Sequence, residues 1–466
     1  MRKRKASAVA RKYLLETFGC QMSFHDSERL SGLLESKGYE ATLDETAADV
    51  FVINTCSVRE RAEEKLYTRL GEIRELSATR TSAPLVAVTG CVAQQEGAAL
   101  LRGQTGADSG VDVVVGTQAL RRLPSLLEDR AATREPFERL RPESRIDVNP
   151  YEDVSFPLGL VKHSDPVRAW VTVIEGCNEF CSFCVVPYTR GHERMRPAAD
   201  ILAEVRLAAE SGHREVQLLG QIVNHYQAPD DAACDFAELL ERVSDVDGIE
   251  RVRFASPHPR YVTERLIAAI RDLPKVCKHL HMPVQSGSDG VLQRMRRRYT
   301  RQEYLDLVDR LKAEVPGVAI STDVIVGFPG ETDDDFERTM DLVRRVRFQS
   351  MYSFKYSPRP NTLAQKRMPD TVPEAEKTRR ILAVQQLQRD TQSAWHQGMV
   401  GRVFDVLADS ISRRSAADLA GRTSGNVIVN FVGAHGLIGQ VLDVRVTEAG
   451  PNSVRGELVD GGVRAD

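Results

Sequence analysis

Six of the eight cysteines in this sequence fall into two groups whose placement suits metal or redox chemistry. Cys177, Cys181 and Cys184 stand in C-x3-C-x2-C spacing within VIEGCNEFCSFCVVPYTRG, directly after a strand-like run. In a large chain of intracellular character, such cysteines read as metal ligands or catalysts before disulfides. Three thiolates this close can hold three corners of a [4Fe–4S] cube and leave one iron with an open coordination position. An iron without a protein ligand can take a chelating substrate, such as the amino and carboxylate groups of a methionine derivative. A closed structural zinc site is the alternative. It needs a fourth ligand nearby, and His192 is the nearest candidate.

Cys20, Cys56 and Cys91 are 36 and 35 residues apart, and no local motif joins them. Each follows a strand-like run, in TFGC, INTC and VTGC. In a parallel sheet the C-terminal ends of the strands share one edge, where ligands bind, so distant thiols can converge there. Three small buried residues at strand ends would give the same pattern without chemistry. Cys234 and Cys277 fit neither group and are expected to be small packing residues.

The elements that must position these cysteines follow from periodicity. Residues 13–130 alternate apolar β-rich runs (13–18, 50–54, 85–90, 111–116) with amphipathic segments such as 27–38 and 61–76. That predicts a parallel α/β domain of flavodoxin-like character over 11–130. Five prolines and many charges between 131 and 166 place a linker at 131–162. Alternation then resumes over 163–397, with six strand-like runs starting at AWVTVI, VQLLGQ, RVRFAS, KHLHMPV, VAISTDVIVG and SMYSFKY. Six βα units make an incomplete barrel, and a helix over roughly 373–398 closes it. From 398 to 460, four short strand-like runs separated by Gly, Ser and Asn predict a small antiparallel β-barrel.

Composition narrows the function classes. Apolar residues are 42% and charged residues 28%, with a net charge of −3, so a nucleic-acid partner would be held by local basic patches. No apolar run reaches the ~20 residues that span a bilayer. The start, MRKRKASAVARK, is basic but lacks the apolar core and cleavage site of a secretory signal. The chain is read as cytoplasmic, with no membrane partner.

The cysteine loop and the strings GCNEFCSFCVVPYTRGHERMRP, LLGQIVNHY, SPHP, HMPVQSGS, STDVIVGFPGET and YSPRP together resemble the methylthiotransferase branch of the radical S-adenosylmethionine enzymes. The resemblance runs from about residue 11 to 460. It implies that the cluster on Cys177, Cys181 and Cys184 binds S-adenosylmethionine and cleaves it to methionine and a 5′-deoxyadenosyl radical. Gly220 and Gln221 would meet the methionine moiety, and Gly327 and Gly330 the adenosine. A strand end explains Gly220, and a tight turn explains the other two glycines, nearly as well. GCQMSFHDSE, INTCSVRERAEEK and TGCVAQ resemble the N-terminal domain of the same family. There the three cysteines hold an auxiliary [4Fe–4S] cluster whose open iron carries sulfide or methylsulfide. Ser23 departs from the pattern, where Asn is usual.

Substrate follows from the same resemblance. Ser-Val-Arg-Glu after Cys56, PYTRG at 187–191 and HMPVQSGS with MRRRYT are similar to the tRNA-modifying members, which act on isopentenylated adenosine 3′ to the anticodon. Met195 for Ser, and Asn361-Thr-Leu for Gly-Thr-Pro, are departures. The C-terminal barrel, with GRTSGNVIVNF, resembles a TRAM domain, a small RNA-binding β-barrel. From 398 onward it has seven Arg and eight acidic residues, so its charge does not advertise RNA. The clearest basic runs are MRRRYTR (295–301) and the mixed stretch 366–380, expected to offer phosphate contacts. The expected reaction consumes two S-adenosylmethionine, one as methyl donor and one as radical source, and adds a methylthio group to adenine position 2. It needs an electron donor such as flavodoxin or ferredoxin. A ribosomal-protein methylthiotransferase and a non-enzymatic iron–sulfur RNA-binding protein are the rival readings.

Overall fold

The computed structural model describes residues 10–57, 60–102, 109–133, 145–149 and 159–463. The start 1–9, Val58 and Arg59, and most of the expected linker (134–144 and 150–158) lie outside the described residues. The chain divides into two compact units, Met1–Ser164 with Val185–His192, and Asp165–Cys184 with Glu193–Asp466.

In the first unit, β1 (Lys12–Phe18), β2 (Glu40–Ala41), β3 (Val50–Thr55), β4 (Leu85–Gly90), β5 (Val113–Val115) and β6 (Ile146–Asp147) form one parallel sheet. Its order, β2-β1-β3-β4-β5-β6, is the flavodoxin-like one with an extra edge strand. Every residue of β3 is buried, as in a parallel strand covered on both faces. Alternate side chains serve two cores. Phe51, Ile53, Val86 and Val88 fill one face, and Tyr13, Val50, Val52 and Ala87 the other. The edge strands β2 and β6 escape sequence reading because two residues show no period.

The second unit carries β7 (Arg168–Thr172), β8 (Ile174–Glu175), β9 (Arg194–Met195), β10 (Glu215–Leu219), β11 (Arg251–Phe254), β12 (His279–His281), β13 (Ala319–Val326) and β14 (Ser350–Lys355). Strands β7, β10 and β11 pair in parallel, as do β12, β13 and β14. A parallel bridge from Val252 to Val276 links the two sets. Six strands in chain order with helices between them make the partial barrel the sequence predicts. One continuous core runs from Ala169 through Val216, Val252, Leu280 and Val324 to Val343. Thr300 and Thr332 start two of the helices with reciprocal caps to Glu303 and Asp335. Cys234 and Cys277 are buried in this unit.

Helix Glu374–Gln397 leads into a closed barrel of β15 (Val403–Ile411), β16 (Asp418–Thr423), β17 (Ile428–Val432), β18 (Val441–Ala449) and β19 (Val454–Val463), in the order β15-β16-β17-β19-β18. The strand β16, DLAGRT, is not among the runs read from sequence. Its Gly421 interrupts the apolar pattern for a reason: a Cβ there would stand 2.4 Å from Leu407 O.

Residues at or near the starts of the large barrel's strands anchor this small barrel. Glu215 accepts from Arg168 Nε at 2.5 Å and from Arg253 Nε at 2.7 Å. Arg253 Nη2 donates onward to Thr423 O at 2.7 Å, and Arg251 Nη2 to Asp405 Oδ2 at 2.8 Å. Lys278 N, just before β12, donates to Ser424 Oγ at 2.9 Å. The small barrel therefore caps the N-terminal end of the strands. No helix among the described residues is long and apolar enough to cross a membrane.

Candidate cluster-binding sites

The cysteines of the first trio stand at or just beyond the C-terminal ends of neighbouring parallel strands. Cys20 is the N-cap of helix Gln21–Ser36, Cys56 directly follows β3, and Cys91 is the first residue of helix Cys91–Glu96. Cys56 N donates to Phe18 O at 2.9 Å, which keeps the ends of β1 and β3 in register. Cys56 lies within hydrogen-bonding reach of both Cys20 and Cys91. Two glycines keep the space small. A Cβ on Gly19 would meet Ser23 Oγ at 2.6 Å and Cys56 Cβ at 2.8 Å. Gly90 has φ 93°, and a Cβ there would meet Asn54 Oδ1 at 2.3 Å. Ser23, the departure from the family pattern, places Oγ 3.7 Å from Cys20 Sγ.

The electrostatics favour thiolates. The hydrogen bond from Cys56 and the charge of Arg190 hold Cys20 well below the usual thiol range. The same two causes bring Cys91 down to about 7 against its burial, while Cys56, the donor, is pushed well above its usual value. Helix N-termini add to the effect. Arg190 is buried and pairs with buried Asp26 at 2.5 Å. Its backbone is fixed as well: Gln118 Nε2 donates to Arg190 O at 2.6 Å and Thr117 Oγ1 to Thr189 O at 2.5 Å. These bonds account for Val185–His192 belonging to the first unit. Three converging thiols, one buried cation and a cradle that a Cβ would fill suit a thiolate-bound, negatively charged cluster with an open corner.

The second trio lies in the second unit, after β8. Gly176 has φ 78° and Phe180 φ 48°, which turn the chain sharply around Cys177 and Cys181. Cys184 N donates to Cys181 O at 3.0 Å. Burial pushes the Cys177 thiol up to about 11, and Arg297 Nη1 donates to Cys181 Sγ at 3.4 Å. All eight cysteines are free thiols. His192, the candidate fourth zinc ligand, is exposed. Among the described residues, no three His, Cys, Asp or Glu side chains are grouped as a single-ion site. A three-thiol loop after the first barrel strand suits a cluster with one unligated iron.

Gly220 and Gln221 follow β10, and Gly327 follows β13, so all three stand at the C-terminal strand ends, as does the cysteine loop. A Cβ on Gly220 would press on Ile174 and Val223 at 3.2 Å. Gln221 Oε1 is buried without a hydrogen-bond partner in the protein. Gly327 N donates to Glu331 Oε2 at 2.6 Å, Gly330 N donates to Thr371 Oγ1 at 3.1 Å, and both glycines have positive φ. The turn alone accounts for their conformation. Asn361 has φ 69°, a conformation Asn tolerates where Gly is usual.

Sequence reasoning missed Arg190, Asp26 and Arg297 as parts of the sites. Arg190 was visible only as a letter in PYTRG, and its partner Asp26 is 164 residues away. The run MRRRYTR is not a uniform basic surface, because Arg297 is buried between exposed Arg296 and Arg298. The 366–380 stretch also turns inward in part: Lys377 pairs with Asp370 at 2.5 Å and Arg380 with Glu331 at 2.7 Å.

Residues 171–343 match the Radical SAM superfamily, 12–116 the Uncharacterized protein family UPF0004, and 397–459 the TRAM domain. The tRNA-2-methylthio-N(6)-dimethylallyladenosine synthase of Thermoanaerobacter pseudethanolicus is 42% identical over 96% of this chain and 93% of its own. The synthase of the same name from Geobacter metallireducens is 44% identical over 95% and 97%. Among solved structures, the radical S-adenosylmethionine methyltransferase TsrM of Kitasatospora setae aligns with a TM-score of 0.56 at 17% identity, covering 77% of each chain. That likeness concerns the fold. Full-length identity of this size, on a chain with both cysteine trios at strand ends, fixes the family. The chain belongs to the radical S-adenosylmethionine superfamily and, within it, to the family of tRNA-2-methylthio-N(6)-dimethylallyladenosine synthases.

Proposed function

We propose that this chain is a tRNA methylthiotransferase that converts N6-isopentenyladenosine 3′ to the anticodon into its 2-methylthio derivative. The observation that carries the reading is the presence of two separate cysteine trios, each beside a buried arginine, in a full-length member of the synthase family. As a radical S-adenosylmethionine enzyme, it uses a [4Fe–4S] cluster and S-adenosylmethionine. When bound, that cluster supplies the electron that cleaves S-adenosylmethionine, and a second cluster supplies the sulfur.

Cys177, Cys181 and Cys184 would hold the first cluster, and Cys20, Cys56 and Cys91 the second. Arg190 and Asp26 balance charge at the second trio, while Gly19 and Gly90 keep its floor closed. Gly220, Gln221, Gly327 and Gly330 would face S-adenosylmethionine. Their position at the strand ends next to the cysteine loop supports this. The TRAM domain supports tRNA as the partner. The chemistry calls for a low-potential electron donor such as flavodoxin or ferredoxin and for a cytoplasmic setting.

The test compares tRNA nucleosides from cells with and without this chain. Methylthiolated isopentenyladenosine should vanish when the chain is the only candidate enzyme and is removed. Its persistence refutes the substrate. A reduced, iron-loaded chain that forms no 5′-deoxyadenosine from S-adenosylmethionine refutes the reaction class.

A further inference from the structure

Arg296, Arg297 and Arg298 join helix Asp289–Arg294 to the capped helix Arg301–Glu314, so both ends of the turn are fixed. Arg296 has φ 59° and Arg298 φ 58°. Residues with a Cβ seldom adopt that left-handed conformation, and here it occurs on both sides of one residue. The outcome is one guanidinium aimed inward between two that face solvent. Arg297 is 6% exposed.

Each nitrogen of that guanidinium has its own acceptor. Nε donates to Tyr299 Oη at 3.1 Å, Nη2 to Pro283 O at 3.0 Å, and Nη1 to Cys181 Sγ at 3.4 Å. Tyr299 is held in turn by donating to Val284 O at 2.8 Å. The cysteine loop is tied to the same helix end. Ser182 N donates to Met295 O at 3.0 Å, and Ser182 Oγ to Arg294 O at 2.7 Å. Backbone bonds on both sides therefore hold the sulfur and the guanidinium against each other.

We infer that Arg297 sets the reduction potential of the iron–sulfur cluster on Cys177, Cys181 and Cys184, as a fixed, buried N–H···S donor to Cys181. The inference rests on the reading of that trio as the S-adenosylmethionine cluster. Reduction adds one electron and no proton, so the net charge of the cluster falls by one. A buried cation and a hydrogen bond to a ligand sulfur both favour the more negative form. Arginine serves because its planar fork reaches three acceptors at once and stays charged, whereas lysine brings a point charge. Arg297 touches a ligand rather than the reacting atoms and is a positioning residue.

The full-length chain, loaded anaerobically with iron and sulfide, is titrated with a low-potential reductant under EPR. The cluster in question is the one whose signal changes when S-adenosylmethionine is added. Arg297→Gln keeps an N–H donor without the charge, Arg297→Met loses both, and Arg297→Lys keeps the charge and an N–H donor but not the planar fork that reaches three acceptors. In the Gln and Met variants the signal should titrate at a lower potential. The expected change is at least tenfold in the reduced-to-oxidised ratio, about 59 mV for one electron. The Lys variant should fall between, with iron content and the other cluster's signal unchanged. An unmoved potential in Arg297→Met, with its iron retained, overturns the inference. Loss of that cluster's iron in all three variants also overturns it, since the residue then only holds the loop. A wild-type chain without any S-adenosylmethionine-responsive signal overturns the underlying reading of the trio instead.

Discussion

Glu215→Gln removes one charge from the joint between the large and small barrels and leaves the shape almost unchanged. Glu215 is 1% exposed and lies between Arg168 and Arg253. Burial alone would raise its carboxyl, but Arg253 and Arg168 prevail and hold it down at about 2, against 4.5. A difference of that size corresponds to stabilisation on the order of 3 kcal/mol. Removing one partner of a buried ion pair costs about 3–5 kcal/mol, so the two routes agree. The folded-state carboxyl is depressed, so its contribution is complete above about pH 4.5. It declines as pH falls and is gone near about pH 2. Urea unfolding followed by tryptophan fluorescence reads this unit, because Trp170 on β7 and Trp395 on helix Glu374–Gln397 both belong to it. The wild-type minus variant difference cancels the other titrating groups. Hydrogen exchange in β15–β19 should rise in the variant as the small barrel loosens. A difference below about 1 kcal/mol at neutral pH, or one that fails to narrow between about pH 5 and about pH 3, refutes the reasoning.

Replacing Cys20, Cys56 and Cys91 together by Ala should lower reconstituted iron from about eight to about four per chain by the two-cube reading, and loss of all iron or none would contradict two independent sites. Arg190→Met leaves Asp26 charged and buried, so the first unit should lose about 3–5 kcal/mol, and adding Asp26→Asn should recover part of that loss in a double-mutant cycle. Gly90→Ala should strip iron from the first trio, because the new methyl meets Asn54 Oδ1 at 2.3 Å and Thr55 O at 2.6 Å. Gly71→Ala, on a helix with open space around it, should instead stabilise by about 0.5–1 kcal/mol, as a melting curve would record.

Much of this architecture was legible because it rests on local periodicity. Runs such as VFVINT and AISTDVIV announce buried parallel strands, and the cysteines that follow β1, β3 and β4 inherit a common edge from the sheet order. What stayed hidden depends on tertiary partners. DLAGRT does not look like a strand until Leu407 lies over Gly421. Asp26 looks like an ordinary helix-surface acid until Arg190 reaches it from far along the chain. Arg297 is one letter among three arginines, and only the left-handed backbone at Arg296 and Arg298 says which one faces in. Turn, bulge and charge-pair geometry carry no sequence period, so residue types alone could not supply them.

The small barrel is fastened where the large barrel's strands begin, and the cysteine loop stands where they end. The strands that carry the anchors, β7, β10, β11 and β12, are three to five residues long. At ~3.3 Å per residue, they span roughly 10–17 Å. The Arg168–Glu215–Arg253 joint thus holds the small barrel at the opposite end of the strands from the cysteine loop, so a change there would loosen the small barrel while every cysteine stayed in place.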